Sequence, residues 1–525
     1  MNMDLQPRHF YLSVDVGTQS IRVGIVDNHG QIVDLERLAI EPYFSIQPGW
    51  AEQHAPYYWE MLCRATASLF RRQKEMKSKL CAMSVTTQRS TMINLDRTGR
   101  PLRPAILWLD DRKAQMRKLF PAPVEWMLKP LGVYSLLQHT YRNTDWNWLR
   151  QHQPEVVDNT HKYLGLSGYL HYKISGHYHE SVSSVVGYLP FDYKNHRWMG
   201  PRHPLRRLFD VPPEKLPKLF QTGQVIGQVS SQASHESGLP DGLPLIAGAA
   251  DKAAEVLGSG VVDDGDIACL SLGTTATVQA VTRQYREVER FSPLYPSAVA
   301  GLYNSEVMIY KGFWMVSWFR DEFGHLEKMQ SQENKKSPEM LLDQFLSQVP
   351  PGSMGLITQP YWGAGVRYPS PTAKGVIMGF GDVHTRPYVY RSIIEGLGYA
   401  LKQGLLKTES RLKRQFQVLR IAGGGSQSDN IMQIMADITD RPVERPHTYE
   451  ASILGTAVNM AVALGHYPSY AAAVAGMVRV KDRFEPDGTY ALLYQKIYDQ
   501  IYTKMYDRLS PLYDRLQSIV GYPAE

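Results

Sequence analysis

Apolar and polar positions mark out two hairpins of the same kind. Phe10-Tyr11-Leu12-Ser13-Val14 is a β-like run that breaks at Asp15-Val16-Gly17-Thr18-Gln19-Ser20 and resumes as Ile21-Arg22-Val23-Gly24-Ile25-Val26-Asp27. Apolar runs on either side of a short polar turn predict a β-hairpin. The arrangement returns mid-chain, where Asp266-Ile267-Ala268-Cys269-Leu270-Ser271-Leu272 leads through Gly273-Thr274-Thr275 into Ala276-Thr277-Val278. Each hairpin starts one half of the chain, which predicts a duplicated architecture. A strand-like Val418-Leu419-Arg420-Ile421-Ala422 then enters Gly423-Gly424-Gly425-Ser426, and a helix-like run follows from Asn430 to Ile438. Cys81-Ala82-Met83-Ser84-Val85-Thr86 and Pro104-Ala105-Ile106-Leu107-Trp108 read as further strands, and residues 121–243 as helix-rich. Ser237-Gly238-Leu239-Pro240-Asp241-Gly242-Leu243-Pro244 is a turn cluster, so the expected domains are 1–243 and 244–525. Residues 285–300 and 330–353 read as surface excursions, and the tyrosine-rich tail, 480–525, as helical.

Bulk composition narrows the classes. A chain of 525 residues accommodates two or three domains. With 43% hydrophobic and 21% charged residues it reads as an ordinary globular protein. The formal charge of +6 is small for this length and dispersed, so nucleic acid is not implied, although a mildly basic cleft suits an anionic substrate. Cys63, Cys81 and Cys269 show no metal-ligand spacing and fit a reducing compartment. The first nine residues lack the apolar stretch of a signal peptide, and no apolar run approaches a membrane span. A cytoplasmic protein with no membrane partner is expected.

Chemistry concentrates in the turns. Glycines after a strand let the backbone approach a ligand, and a helix N-terminus behind them favours an anion. The turn at Asp15 offers N–H groups and hydroxyls to phosphate, and a carboxylate that can hold Mg²⁺ through water. Asp251 follows the apolar Leu245-Ile246-Ala247 and the small Gly248-Ala249-Ala250, and precedes a helical pattern. It can cap that helix, or act as a base that takes a proton from a hydroxyl attacking a γ-phosphoryl group. Gln88-Arg89 and Trp108-Leu109-Asp110 each follow a strand-like run, so both can reach the carboxyl edge of one sheet. There they read either as polyol-binding groups or as a surface ion pair beside a core tryptophan.

Taken in order, these motifs resemble the FGGY carbohydrate kinase family, within the sugar kinase, actin and Hsp70 superfamily. The resemblance spans Asp15-Val16-Gly17-Thr18-Gln19-Ser20, Gly49-Trp50-Ala51-Glu52-Gln53 with Trp59, Pro101 to Trp108 with Asp110 and Arg112, residues 248–258, Gly273-Thr274-Thr275, and Gly423-Gly424-Gly425-Ser426 with Gln433, Ala436, Asp437, Pro442 and Val443. It implies two actin-like (ribonuclease H-like) α/β domains closing on a ligand cleft, and ATP-dependent phosphorylation of a small carbohydrate, either a ketose such as a pentulose or a polyol. Asp251 would be the general base. Asp15, Gly17, Thr18, Gln19, Ser20, Gly273, Thr274, Gly312, Gly424, Gly425 and Ser428 would lie on ATP, with Asp15 toward Mg²⁺. Gln88, Arg89, Trp108, Asp110, Asp251 and Lys252 would face the acceptor. The spacing from Gly312 to Trp318 is shifted from the family pattern, and a homodimer is compatible with the resemblance.

The substrate side departs from well-known subfamilies. Gln88-Arg89 is similar to the pair in glycerol kinases, but Ser90 stands where those carry Glu, and Lys252 where they have Gln. Xylulokinases carry Gln-Met-His in place of Gln88-Arg89-Ser90, and Gly363-Ala364-Gly365-Val366-Arg367-Tyr368-Pro369 departs from their Gly-Glu-Arg-Thr-Pro form. Lys252 either pairs with an acidic or ketone-bearing substrate or bonds Glu255 at helical spacing, the second being preferred. A glycerol kinase-like enzyme, a quorum-signal (autoinducer-2-like) kinase and a non-catalytic nucleotide-gated binding protein on the same fold are the rival readings. The acid at 251 argues against the last.

Overall fold

The computed structural model describes residues 8–129, 133–289, 292–363, 365 and 368–522. The N-terminal stretch 1–7, and Ala364, Val366 and Arg367 of the segment that departs from the xylulokinase form, lie outside the described residues.

The two hairpins form as the pattern predicts. In the first half β1 (Phe10–Val16) pairs antiparallel with β2 (Ser20–Asp27), which pairs with β3 (Ile32–Ala39). On its other side β1 pairs parallel with β4 (Leu80–Thr87), which meets β6 (Pro244–Ile246) in parallel, and β5 (Val225–Gln228) closes the edge. The second half repeats this plan. There β7 (Ile267–Leu272) pairs antiparallel with β8 (Ala276–Thr282), which is followed outward by β10 (Tyr303–Ile309) and the short β9 (Tyr295–Pro296). Its other edge meets β11 (Val418–Ala422) in parallel, then β12 (Val443–Pro446), then an antiparallel β13 (Val480–Phe484). The first sheet therefore runs antiparallel, antiparallel, parallel, parallel, antiparallel, and the second repeats that series with the short β9 added as one more antiparallel strand at its edge.

Strand β1 shows why both faces must be covered. Leu12, Val14 and Val16 enter the core of the first lobe, while Tyr11, on the opposite face, enters a second apolar layer. That layer includes α2 (Asp251–Gly258) and α6 (Ala451–Ala463), one helix from each half. The two helices meet backbone to backbone: a Cβ on Gly258 would lie 1.8 Å from the Ala451 carbonyl oxygen, and one on Gly455 1.9 Å from that of Ala254. Helix α1 (Ala55–Arg72) covers the other face of the first sheet. In the second lobe α3 (Trp314–Phe323), α4 (Arg386–Leu412) and α5 (Asp429–Thr439) share one core with β7 and β8.

Several expectations change: the tail opens with strand β13 before its helices, and residues 330–353 are not a surface excursion, since Leu342 and Leu346 enter the core of the second lobe. The turn cluster at 237–244 does not end the first sheet, because β6 at its end pairs through Leu245 and Ile246 with Met83 and Ser84. We propose that the boundary falls between Gly258 and Ile267. Residues 285–300 are not a plain surface excursion: Ser297, Ala298 and Val299 are buried, and the Ser183 hydroxyl of the first half donates to the Ser297 carbonyl at 2.6 Å. Among the described residues no helix is long and apolar enough to cross a membrane.

Candidate active site

The carboxyl ends of β1, β4 and β6 and the turns after β1, β7 and β11 supply most of the residues singled out in the sequence; Trp108 and Asp110 instead follow a short strand, Ala105–Ile106, of a separate four-stranded sheet, so they do not share one sheet edge with Gln88 and Arg89, and Gly312 follows β10. Asp15, next to last in β1, is fully buried and stands opposite Arg22 in the hairpin register. An Arg22 nitrogen lies 3.0 Å from its carboxylate, yet neither Asp15 oxygen receives a hydrogen bond. Burial pushes the Asp15 carboxyl up to about 6 against the pull of Arg22, with Asp251 and Glu450 reinforcing the rise. A buried carboxylate beneath a glycine turn, ion-paired with Arg22 but taking no hydrogen bond, fits a hydrated divalent cation.

In the first turn the Gly17 N–H donates to the Ser20 carbonyl at 3.0 Å. The Thr18 hydroxyl donates to Gln88 at 2.8 Å and accepts from the Trp108 indole at 3.1 Å, while Gln88 donates onward to Tyr58 at 3.1 Å. Gln19 is exposed, and Ser20 is the first residue of β2. Thr18, Gln88 and Trp108 are thus joined in one chain, with Trp108 40% exposed. Asp110 is placed differently. Its carboxylate accepts from the Ala51 N–H at 2.7 Å, the Arg112 N–H at 2.9 Å and two Arg112 side-chain nitrogens, both at 2.7 Å. With its side chain 2% exposed, it braces Arg112, which stacks on Trp50 and Trp148, rather than offering free acceptors to a ligand.

Asp251 is the first residue of α2 and does not cap it: Ala250 holds the cap position, and Asp251 Oδ1 accepts from the Lys252 N–H at 2.8 Å. Its side chain keeps 30% exposure, and Arg89 Nε lies 3.8 Å away. Enclosure raises the Asp251 carboxyl above the usual carboxylate range, opposed by Arg89 and Lys252. Lys252 does bond Glu255, at 2.9 Å, and also Ser271 at 2.6 Å, while Ser271 donates to Glu255 at 3.0 Å. Its ammonium nevertheless stands beside the second turn, 3.7 Å from where a Cβ on Gly273 would sit.

Thr274 is exposed in that turn, and the Gly273 carbonyl accepts from the Phe313 N–H at 3.0 Å. Gly312 supplies the close approach: its Cβ would lie 2.2 Å from the Ala276 nitrogen. At the triple glycine, Gly423 adopts a φ of 88° with the β7 backbone against it, Gly425 abuts the Phe313 ring, and Gly424 opens to free space. Ser428 caps α5 by accepting from the Ile431 N–H at 3.0 Å, and its hydroxyl also donates to Asp343.

Several residues at the site carry no sequence motif. Glu306 of β10 clamps Arg89 through two bonds of 2.6 and 2.9 Å, and the guanidinium lies over Tyr295. The Tyr188 hydroxyl lies 2.9 Å from His139 Nε2. Glu450, reaching Arg22 at 2.9 Å, comes from the segment before α6. Arg22 alone was within reach of the sequence, since a tight hairpin fixes its position opposite Asp15.

Two α/β lobes of one topology, with three glycine turns and a carboxylate at the seam between them, define a two-domain, actin-like kinase fold. The chain belongs to the FGGY family of carbohydrate kinases: the family's N-terminal-domain model matches residues 10–258 and its C-terminal-domain model residues 268–464. It is 29% identical over 489 residues to the uncharacterized sugar kinase YgcE of Escherichia coli K12, covering 93% of this chain and 91% of that one. A xylulose kinase of Staphylococcus epidermidis is 26% identical over 494 residues, with 93% and 94% covered. The crystal structure of xylulose kinase from Rhodospirillum rubrum superposes with a TM-score of 0.78 at 23% identity, covering 97% of this chain and all of that one.

Proposed function

We propose that the protein transfers the γ-phosphoryl group of ATP to one hydroxyl of a small carbohydrate, a ketose such as a pentulose or a polyol. The observation that carries this reading is Asp251: a partly exposed carboxylate with raised proton affinity, at the seam between two phosphate-type turns. Membership of a family of carbohydrate kinases supports it.

Asp251 accepts the proton of the acceptor hydroxyl as that oxygen attacks the phosphorus, and the raised affinity strengthens it as a base. Arg89, 3.8 Å away, orients the carboxylate. The backbone N–H groups of Thr18, Gln19 and Thr274 and the exposed Thr274 hydroxyl receive the phosphates, with the Gly17 N–H holding the first turn closed and the Lys252 ammonium beside the second. Gly424, open to space, lets adenosine lie flat against the backbone, and Gly425 and Ser428 shape that wall. Asp15 would hold the Mg²⁺ of the nucleotide through water; when bound, this ion neutralises phosphate charge. Trp108 presents a flat face to the acceptor's carbon skeleton, and the buried Gln88, bonded to Thr18 and Tyr58, braces the turn behind it. A cytoplasmic location and a homodimer belong to the same proposal, and sedimentation velocity reads the latter.

The test is ADP release from Mg-ATP over a panel of ketoses, polyols and sugar acids. Turnover should rise strongly with one acceptor, and Asp251→Asn should remove about 10²–10⁴-fold of kcat/KM while ATP binding persists. An Asp251→Asn variant that kept most of its turnover would sink the mechanism.

A further inference from the structure

From the pairing of cations around Asp251 we infer that Glu306 selects an uncharged acceptor by occupying Arg89, an inference that rests on the kinase reading above. Arg89 is the cation nearest the carboxylate of Asp251. It would be the natural partner of a sugar acid, because a guanidinium grips a carboxylate through two parallel N–H bonds. Here that fork is already filled. Both Glu306 oxygens take it, at 2.6 and 2.9 Å, with the Glu306 side chain 4% exposed and that of Arg89 16% exposed. The guanidinium also lies over the Tyr295 ring, 5.5 Å from its centroid.

The neighbouring cations are committed in the same way. Lys252 bonds Glu255 at 2.9 Å, and Arg22 stands between Asp15 and Glu450 at 3.0 and 2.9 Å. An acceptor carboxylate here would meet Asp251 and Glu306, while Arg89, Lys252 and Arg22 beside them are each already paired with a carboxylate, and an unpaired charge out of water is costly. A neutral hydroxyl can still use the edge of Arg89 that faces Asp251.

The experiment compares a neutral ketopentose and pentitol with aldonates of matched carbon number, in wild type, Glu306→Gln and the double variant Arg89→Gln/Glu306→Gln. Binding is read from quenching of the tryptophan emission, to which Trp108 contributes, and turnover from ADP release. Wild type should favour the neutral acceptor by tenfold or more in both Kd and kcat/KM. Glu306→Gln frees Arg89 and should narrow that ratio at least fivefold, chiefly through a lower Kd for the aldonate. The double variant, with no free guanidinium, should restore rejection of the aldonate.

A wild type that binds the aldonate more tightly overturns the inference. So does an unchanged ratio in a Glu306→Gln variant whose near-ultraviolet circular dichroism is native. If the double variant also admits the aldonate, loosening of the seam and not the freed charge is the cause, and the inference again fails. Neutral preference in binding without ADP release from any acceptor removes the kinase reading and leaves the selection by Glu306 standing; binding of neither class removes both.

Discussion

Glu180 and His171 sit 3.7 Å apart, both buried, and are not an ion pair. Burial pushes the Glu180 carboxyl from 4.5 up to about 8, against bonds from Ser167 and the Ser181 N–H, and lowers His171 to about 4. Both groups are neutral at pH 7. Because the folded protein holds the Glu180 proton more tightly than the open chain, this contribution to stability is full below about pH 4.5 and is lost as pH rises to about 8. Glu180→Gln mimics the protonated acid, so it should match wild type at pH 4.5 and exceed it at pH 8, by up to roughly 4 kcal/mol in urea titrations. Asp251 gives a kinetic counterpart. Its raised affinity for a proton should place the acid limb of kcat/KM above the ordinary aspartate range, with activity rising as pH rises through it. Legibility in the sequence divides at this scale by how far the partner lies along the chain. Asp251 and Lys252 could be placed from their neighbours, and the Lys252–Glu255 bond from helical spacing. Glu306 could not, because nothing local says that strand β10 will stand opposite residue 89.

Elements were legible where a period and a glycine turn agreed. Both hairpins, β11 and α5 follow the apolar pattern, and the repeat of one hairpin is the imprint of the doubled topology. The turn cluster at 237–244 misled because glycine and proline mark a turn, not the end of a sheet. Whether the next strand rejoins the old sheet depends on pairing with β4, some 160 residues upstream in register terms set by Met83 and Ser84. The α2–α6 crossing shows a second kind of hidden information: two glycines far apart in sequence remove the side chains that would keep two helices apart. Gly455→Ala should therefore cost about 1–3 kcal/mol or more, seen as a lowered Tm, since its Cβ meets a carbonyl oxygen and no flexible side chain. By contrast Gly424→Ala, which meets nothing, should leave Tm unchanged and weaken only ATP binding.

Across the whole molecule the two lobes touch at both ends of the seam. On the side of Arg89, the Tyr303 hydroxyl donates to the Lys194 carbonyl at 2.6 Å and the Tyr193 and Tyr295 rings meet edge to face. At the far side Tyr11 meets His466 at 2.7 Å, Tyr467 donates to the Asn28 carbonyl at 2.7 Å, and Arg479 donates to that of His29 at 2.6 Å. If the near side opens to admit ligands while the far side holds, hydrogen exchange at residues 187–198 and 295–306 should slow when ATP and acceptor are both present, with residues 9–13 and 466–467 unaffected; uniform slowing would contradict a hinge at the far side. Helix α6, encoded in the second half, lies on the sheet of the first, with Ile453, Leu454, Ala457 and Val458 in the layer that includes Tyr11 and Ala82. The gene therefore cannot be cut where the fold divides without uncovering that layer. A fragment ending at residue 262 should aggregate when made alone and recover solubility when the remainder is made beside it, so that the two pieces co-purify as a split enzyme whose reassembly reports on itself.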